Sequence, residues 1–234
     1  MTTQDKPAAV LFDAYGTLFD FYSVGAQLEA WAPGKGRDAA FMLRDKQIEY
    51  TRLVSLSDPS PEGSRYYEPF RDLTTKALRF TNRRLGLGLG EDQIAELMGF
   101  YLRLPAFPEA REVLEGLKAK GLIVGILSNG DPDMLEAAVG GAGLASLLDP
   151  VISIQSVRQF KTHPAAYAHG VASVGLSSPD QILFVSCNPW DAMAAKWYGY
   201  RVYWVDRYGW PFEEIGPRPD IVGPDLRGLL TALA

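Results

Sequence analysis

Five short, predominantly apolar runs constrain the fold of this chain more than any other feature: residues 8–12, 122–127, 151–154, 182–185 and 202–205. None shows the sustained polar alternation of a strand with one wet face, so each reads as a strand buried on both faces. The material between them has helical period. Strands alternating with helices make a parallel sheet covered by helices, a Rossmann-like α/β fold.

The connecting helices have legible ends. Residues 109–120 place Ala110, Val113, Leu114 and Leu117 on one face and stop at Gly121, a residue suited to the left-handed C′ position. Asp131-Pro132 reads as N-cap and first helical residue of a second helix. Pro164 opens a third that carries Tyr167, Val171 and Val174, and residues 189–198 form a fourth that ends at Gly199.

Residues 21–102 contain no strand run. They carry instead a stripe of Ile94, Leu97, Met98, Tyr101 and Leu102, another of Phe70, Leu73, Ala77 and Phe80, and a mixed face of Phe41, Arg44, Ile48 and Ser55. Residues 57–64, rich in Pro and Ser, form a loop. The expected organisation is an α/β core of residues 1–20 and 103–234 with an inserted helical cap subdomain, 21–102, standing as a lid over the carboxyl end of the first strand.

Composition narrows the function. A chain of 234 residues with 47% hydrophobic residues supports one sizeable core. Its 23 basic and 28 acidic residues give a net charge of −5, and nothing is denser in basic charge than Arg83-Arg84. Nucleic acid is therefore not an expected partner. The single cysteine, Cys187, forms no internal disulfide, and two histidines, His163 and His169, give no Cys/His zinc arrangement. Residues 1–7 lack the apolar stretch of a signal peptide, and no run approaches the roughly 20 apolar residues of a membrane helix. A soluble, untargeted cytoplasmic protein is expected.

In open α/β sheets, ligands bind outside the carboxyl ends of the strands. The polar residues that directly follow the apolar runs are Asp13, Ser128-Asn129 and the segment from Ser186 to Asp191, with Lys161 in the loop after the third run. A lone Asp after a strand is as readily a capping residue as a catalytic one. Its neighbours shift that balance. In Asp13-Ala14-Tyr15-Gly16-Thr17-Leu18, small Ala14 and Gly16 would let successive N–H groups face an anion, and Thr17 can orient the carboxylate. That layout suits an aspartate nucleophile.

Together, Asp13-x-x-Gly16-Thr17-Leu18, Ser128-Asn129, Lys161 and Ser186-x-Asn188-x-x-Asp191 resemble the four signature motifs of the haloacid dehalogenase superfamily. The resemblance spans nearly the whole chain. The string Arg44-Asp45-Lys46-Gln47-Ile48-Glu49-Tyr50-Thr51 and the run 184–191 are similar to stretches of the type II L-2-haloacid dehalogenases.

Residue chemistry separates this branch from the superfamily's phosphatases. A magnesium phosphatase needs hard oxygen ligands, and a second aspartate two residues after the nucleophile protonates its leaving alkoxide. Here that position is Tyr15, and the fourth motif offers Ser186 and Asn188. Halide leaves as a stable anion and requires no proton. No metal or other cofactor is expected.

The resemblance implies a two-step hydrolysis of a small halogenated carboxylic acid. Asp13 attacks C2 and expels halide; water then hydrolyses the ester, converting an (S)-2-haloacid into an (R)-2-hydroxyacid. Lys161 would keep Asp13 ionised, an attraction of about 4 kcal/mol at 4 Å with an effective dielectric near 20. By the same resemblance Arg44 and Asn129 would receive the halide, and Ser128 with nearby N–H groups the substrate carboxylate. Asp191, held by Ser186 and Asn188, would direct the hydrolytic water or else cap its helix. Tyr167 would orient Lys161 or Asp13. Tyr15, Ile48, Phe70 and Trp190 would wall the carbon chain, and a homodimer is implied.

Two departures from the branch stand out. Thr162-His163 follows Lys161 where a proline is usual, which offers His163 as a second candidate base or as a surface residue; Asp45 stands where an amide is common. Two rival readings remain at this point: a magnesium phosphatase with atypical ligands, and an idle fold that binds a partner through its cap.

Overall fold

The computed structural model describes residues 6–234. The expectation of no signal peptide over residues 1–7 falls largely outside them. Strands β1 (Ala9–Phe12), β2 (Ile123–Ser128), β3 (Val151–Ser153), β4 (Ile182–Ser186), β5 (Arg201–Val205) and β6 (Ile221–Gly223) form one parallel sheet in the order β3-β2-β1-β4-β5-β6. Strand β1 lies at its centre, Ala9 opposite both Ile123 and Ile182. All four β1 residues are fully buried, which explains the absence of polar alternation.

The sheet has one more strand than the apolar runs announce. Strand β6 is three residues long and lies at the sheet edge, where Val222 remains 54% exposed. A strand this short with one wet side chain has no apolar run to read.

Helices α5 (Ala110–Ala119), α6 (Pro132–Gly141), α7 (Pro164–Ser173), α8 (Pro189–Tyr198) and α9 (Gly228–Ala232) accompany the strands. All four residues read as the apolar face of α5 are buried. Among the described residues, no helix is long and apolar enough to cross a membrane.

Between β1 and α5 the chain is helical: a 3₁₀ turn at Phe21–Ser23, then α1 (Val24–Trp31), α2 (Gly36–Ser57), α3 (Phe70–Leu85) and α4 (Glu91–Tyr101). The 22 residues of α2 span about 33 Å at 1.5 Å per residue. It packs along α3, and a buried hydrogen bond of 2.6 Å from Gln47 Nε2 to Thr74 Oγ1 joins the two. The crossing of α1 and α2 depends on a missing side chain, since a Cβ at Gly36 would lie 2.5 Å from the Gly25 carbonyl oxygen.

The two connections to the helical segment run side by side. Asp20 N–H donates to Pro105 O at 2.8 Å, and Phe107 N–H to Leu18 O at 2.9 Å. A third tie lies at the top of the sheet. Asp131 occupies the N-cap position of α6 as read, yet its carboxylate accepts from Phe70 N–H at 2.9 Å and Arg71 N–H at 2.8 Å. It thus caps α3, where unpaired N–H groups and the helix dipole favour an anion.

Candidate active site

At the end of β1 the chain turns on Gly16, whose φ of +94° suits a residue without Cβ. The turn consumes N–H groups: Gly16 N–H donates to Phe19 O, and Thr17 N–H to Ala14 O. The anion nest expected over this segment is therefore cut back to Ala14 and Tyr15. The tightness of the turn aims Thr17 back at Asp13, and its hydroxyl donates to Asp13 Oδ2 at 3.2 Å while accepting from Cys187 N–H at 2.9 Å.

Asp13 is 5% exposed and bonded on both oxygens. Lys161 Nζ lies 3.2 Å from Oδ1; Asn188 Nδ2 donates to Oδ2 at 2.8 Å. The Lys161 ammonium also reaches Asp191 Oδ2 at 2.9 Å, its side chain without exposure. One cation therefore bridges two carboxylates, which makes their burial tolerable. The loop after β3 does turn back over the sheet edge, held by Lys161 N–H on Asn129 Oδ1 at 2.9 Å.

Asp191 is fully buried, and burial raises its carboxyl above the usual range while the Lys161 charge opposes the rise. Its supports differ from those expected. Ser186 Oγ reaches Oδ2 at 3.3 Å, but the Asn188 side chain turns to Asp13 instead, and Tyr167 takes its place with a 2.7 Å bond to Oδ1. Tyr167 thus orients Asp191, touching neither Lys161 nor Asp13 by hydrogen bond. Desolvation pushes the Tyr167 hydroxyl well up, so it stays a donor.

Arg44 reaches the site from α2 and is 7% exposed. It does not pair with Asn129, whose carbonyl oxygen is taken by the Lys161 backbone. Instead Nη2 donates to Asn188 Oδ1 at 3.1 Å and Tyr15 O at 2.9 Å, and Nη1 to Gln47 Oε1 at 2.8 Å. The guanidinium carbon sits 4.9 Å from the centre of the Phe21 ring. Ser128 is buried at the end of β2, where its hydroxyl accepts from Gly130 N–H at 3.1 Å.

A cavity of about 490 Å³ opens beside this cluster, with Arg44, Asp45, Ile48, Asn188 and Trp190 among its walls. Of the four residues expected to wall a carbon chain, Ile48 and Trp190 line it. Tyr15 and Phe70 do not; they stack at 5.6 Å on the inner side, almost fully buried. Arg52 covers the Trp190 ring at 4.9 Å. Asp45 lies on the same wall, its carboxyl raised by burial against the pull of Arg44. His163 is no part of the cluster: its Nδ1 accepts from Ala165 N–H as the N-cap of α7. Among the described residues, no three His, Cys, Asp or Glu side chains gather as a metal site.

Gln47 and Thr74 belong to the same network; the sequence assigns neither a role, although Gln47 falls within the string from Arg44 to Thr51. The signal was present for Gln47, which follows Arg44 by three residues on one helical face.

Known proteins resemble this chain in sequence and fold. The family description "haloacid dehalogenase-like hydrolase" matches residues 7–199. An (S)-2-haloacid dehalogenase of Pseudomonas sp. (strain YL) is 40% identical, covering 97% of this chain and 94% of its own. The crystal structure of the L-2-haloacid dehalogenase RSc1362 is 48% identical with a TM-score of 0.93, covering 97% and 99%. The L-2-haloacid dehalogenase of Xanthobacter autotrophicus, solved with chloropropionic acid covalently bound, is 36% identical with a TM-score of 0.87, covering 97% and 98%. With the family pattern matched across most of its length and relatives aligned over nearly all of it, the chain belongs to the haloacid dehalogenase-like hydrolases.

Proposed function

We propose that this protein hydrolyses small (S)-2-haloalkanoic acids to (R)-2-hydroxyalkanoic acids and halide through an ester on Asp13. The observation that carries the reading is the Asp13 carboxylate, held by Lys161, Thr17 and Asn188, with the guanidinium of Arg44 on the other end of the same Asn188 amide. The relatives named above are dehalogenases of 2-haloacids, and one of them carries chloropropionic acid covalently bound.

In the first step an Asp13 oxygen attacks C2 opposite the halogen. The carbon–halogen electrons leave with the halide and the configuration inverts. Three hydrogen bonds to protein leave two of the five guanidinium N–H groups of Arg44 for the departing anion. Asn129, whose amide nitrogen bonds no other described residue, joins it. Ser128 and the N–H groups of Ala14 and Tyr15 take the substrate carboxylate, and Ile48 and Trp190 flank the carbon chain at the cavity, with Tyr15 and Phe70 behind.

In the second step Asp191, ionised and held by Tyr167, Ser186 and Lys161, accepts a proton from water. The hydroxide adds to the ester carbonyl of Asp13, and the tetrahedral intermediate expels the 2-alkoxide, which takes the proton back. The regenerated Asp13 acid ionises, so one proton is released per halide. A divalent cation fits this donor set poorly, because the two carboxylates at the sheet edge already share the Lys161 ammonium.

Residues 21–102 act as the cap and 1–20 with 103–234 as the core, a division supported by the paired connections at Asp20 and Pro105. The same reading takes the protein as a homodimer, on the resemblance to the family alone, and as cytoplasmic, a location that the free thiol of Cys187 suits.

Halide release from racemic 2-chloropropionate, with chiral analysis of the remainder, tests the reading. Consumption of the (S) form and appearance of (R)-lactate supports it; an untouched racemate sinks it.

A further inference from the structure

The hydrogen bonds behind Arg44 form a directional chain. Thr74 Oγ1 donates its one proton to Phe70 O at 2.7 Å, so toward Gln47 it acts only as an acceptor. Gln47 Nε2 accordingly donates to Thr74 Oγ1 at 2.6 Å, which leaves the amide oxygen facing the other way, onto Arg44 Nη1 at 2.8 Å. Gln47 and Thr74 have no exposure. The anchor at the far end is the N-terminus of α3, whose Phe70 N–H is held by Asp131 of the core.

We infer that Gln47 and Thr74 are positioning residues that aim the Arg44 guanidinium at the leaving halide. The inference rests on the halide role proposed above for Arg44. An arginine in this place has alternatives: its planar fork can rotate about its terminal torsions, and each rotation changes which N–H groups face the cavity. Tyr15 O and Asn188 Oδ1 both bind Nη2 and fix one corner. Gln47 Oε1 fixes the second, and two corners define the plane. The Gln47 amide would lose that influence if it could flip, and Thr74 prevents the flip because its only proton is already committed.

A second corner matters for chemistry because the barrier to halide loss depends on donors placed where charge develops. Displacements of about 1 Å in such groups cost up to roughly a hundredfold in rate. Chloride is a poorer leaving group than bromide and depends more on those donors. A misaimed Arg44 therefore slows chloro substrates more than bromo substrates, whereas a merely weakened fold slows both alike.

The test compares kcat for (S)-2-chloropropionate and (S)-2-bromopropionate in wild type, Gln47→Leu, Thr74→Val and Thr74→Ser, with Tm measured for each. Gln47→Leu should lower kcat on the chloro substrate by roughly ten- to a hundredfold and raise the bromo-to-chloro ratio severalfold. Thr74→Val should move both in the same direction, and Thr74→Ser, which keeps the hydroxyl, should restore wild-type values. If Gln47→Leu fails to fold, the Thr74 pair carries the comparison. An unchanged ratio in folded Thr74→Val overturns the inference while leaving the dehalogenase reading intact. No halide release by wild type from either substrate overturns both.

Discussion

Lys161 and Asp13, 148 residues apart in the chain, meet as a salt bridge of 3.2 Å in which the lysine side chain has no exposure at all. A second carboxylate, Asp191, shares the same ammonium at 2.9 Å. The triad is neutral only to within one unit, two negative charges against one positive, and it is stable because Thr17, Asn188, Ser186 and Tyr167 donate to the carboxylates from the other sides.

Removing the cation should cost stability as well as activity. Lys161→Met leaves two buried carboxylates unpaired, and breaking such a pair typically costs about 3–5 kcal/mol. Adding Asp191→Asn to that variant removes one of the orphaned charges. Urea denaturation should show the double variant more stable than Lys161→Met alone, and both should be inactive. Additive losses in the two single variants would mean that the three groups do not act as a unit.

The pH profile should carry the mark of Asp191. Its folded carboxyl is raised above the ordinary 3.8, with burial the largest cause. As pH falls through that raised value the proposed base takes a proton, so kcat should fall with an acid limb above pH 3.8 that Asp191→Asn lacks. The stability sign is opposite. A raised folded pKa means the native state holds the proton more tightly than the unfolded chain. This group therefore lends stability as pH drops through the folded value and withdraws it as pH rises. Coincident acid limbs in kcat and in stability would assign the limb to unfolding.

Much of this site was legible from strand ends. The rule that polar residues after buried strands converge brought Asp13, Ser128, Asn129, Ser186 and Asp191 to one edge, because the parallel sheet leaves all its carboxyl ends on the same side. Within the cluster the rule has no resolving power. Asn188 and Asn129 offer the same amide, and which of them meets Arg44 depends on where the loop carrying Lys161 places its own N–H group. Tyr167 falls on Asp191 for a similar reason, since α7 and α8 pack together and bring the two residues face to face. Asp131 shows the limit of local patterns: the N-cap position is correct, but its partners are 60 and 61 residues away.

Metal dependence separates the proposed chemistry from phosphoryl transfer. Tyr15, Ser186 and Asn188 bring no carboxylate to this edge, and Lys161 lies between Asp13 and Asp191. Halide release should be unchanged after dialysis against EDTA and unaffected by added Mg²⁺. Strict dependence on Mg²⁺, with p-nitrophenyl phosphate hydrolysed in its presence, would replace the dehalogenase reading with the phosphatase one.

The covalent role of Asp13 is the centre of the account, and oxygen tracing measures it directly. In the ester route the oxygen delivered to the product comes from Asp13, and water replaces it on the carboxylate. A single turnover of (S)-2-chloropropionate in ¹⁸O-water, with enzyme in excess, should leave the label on the peptide containing Asp13 and little in the lactate. Label in the lactate after that first turnover, with none on the peptide, would contradict the account and leave Asp13 the role of orienting a water.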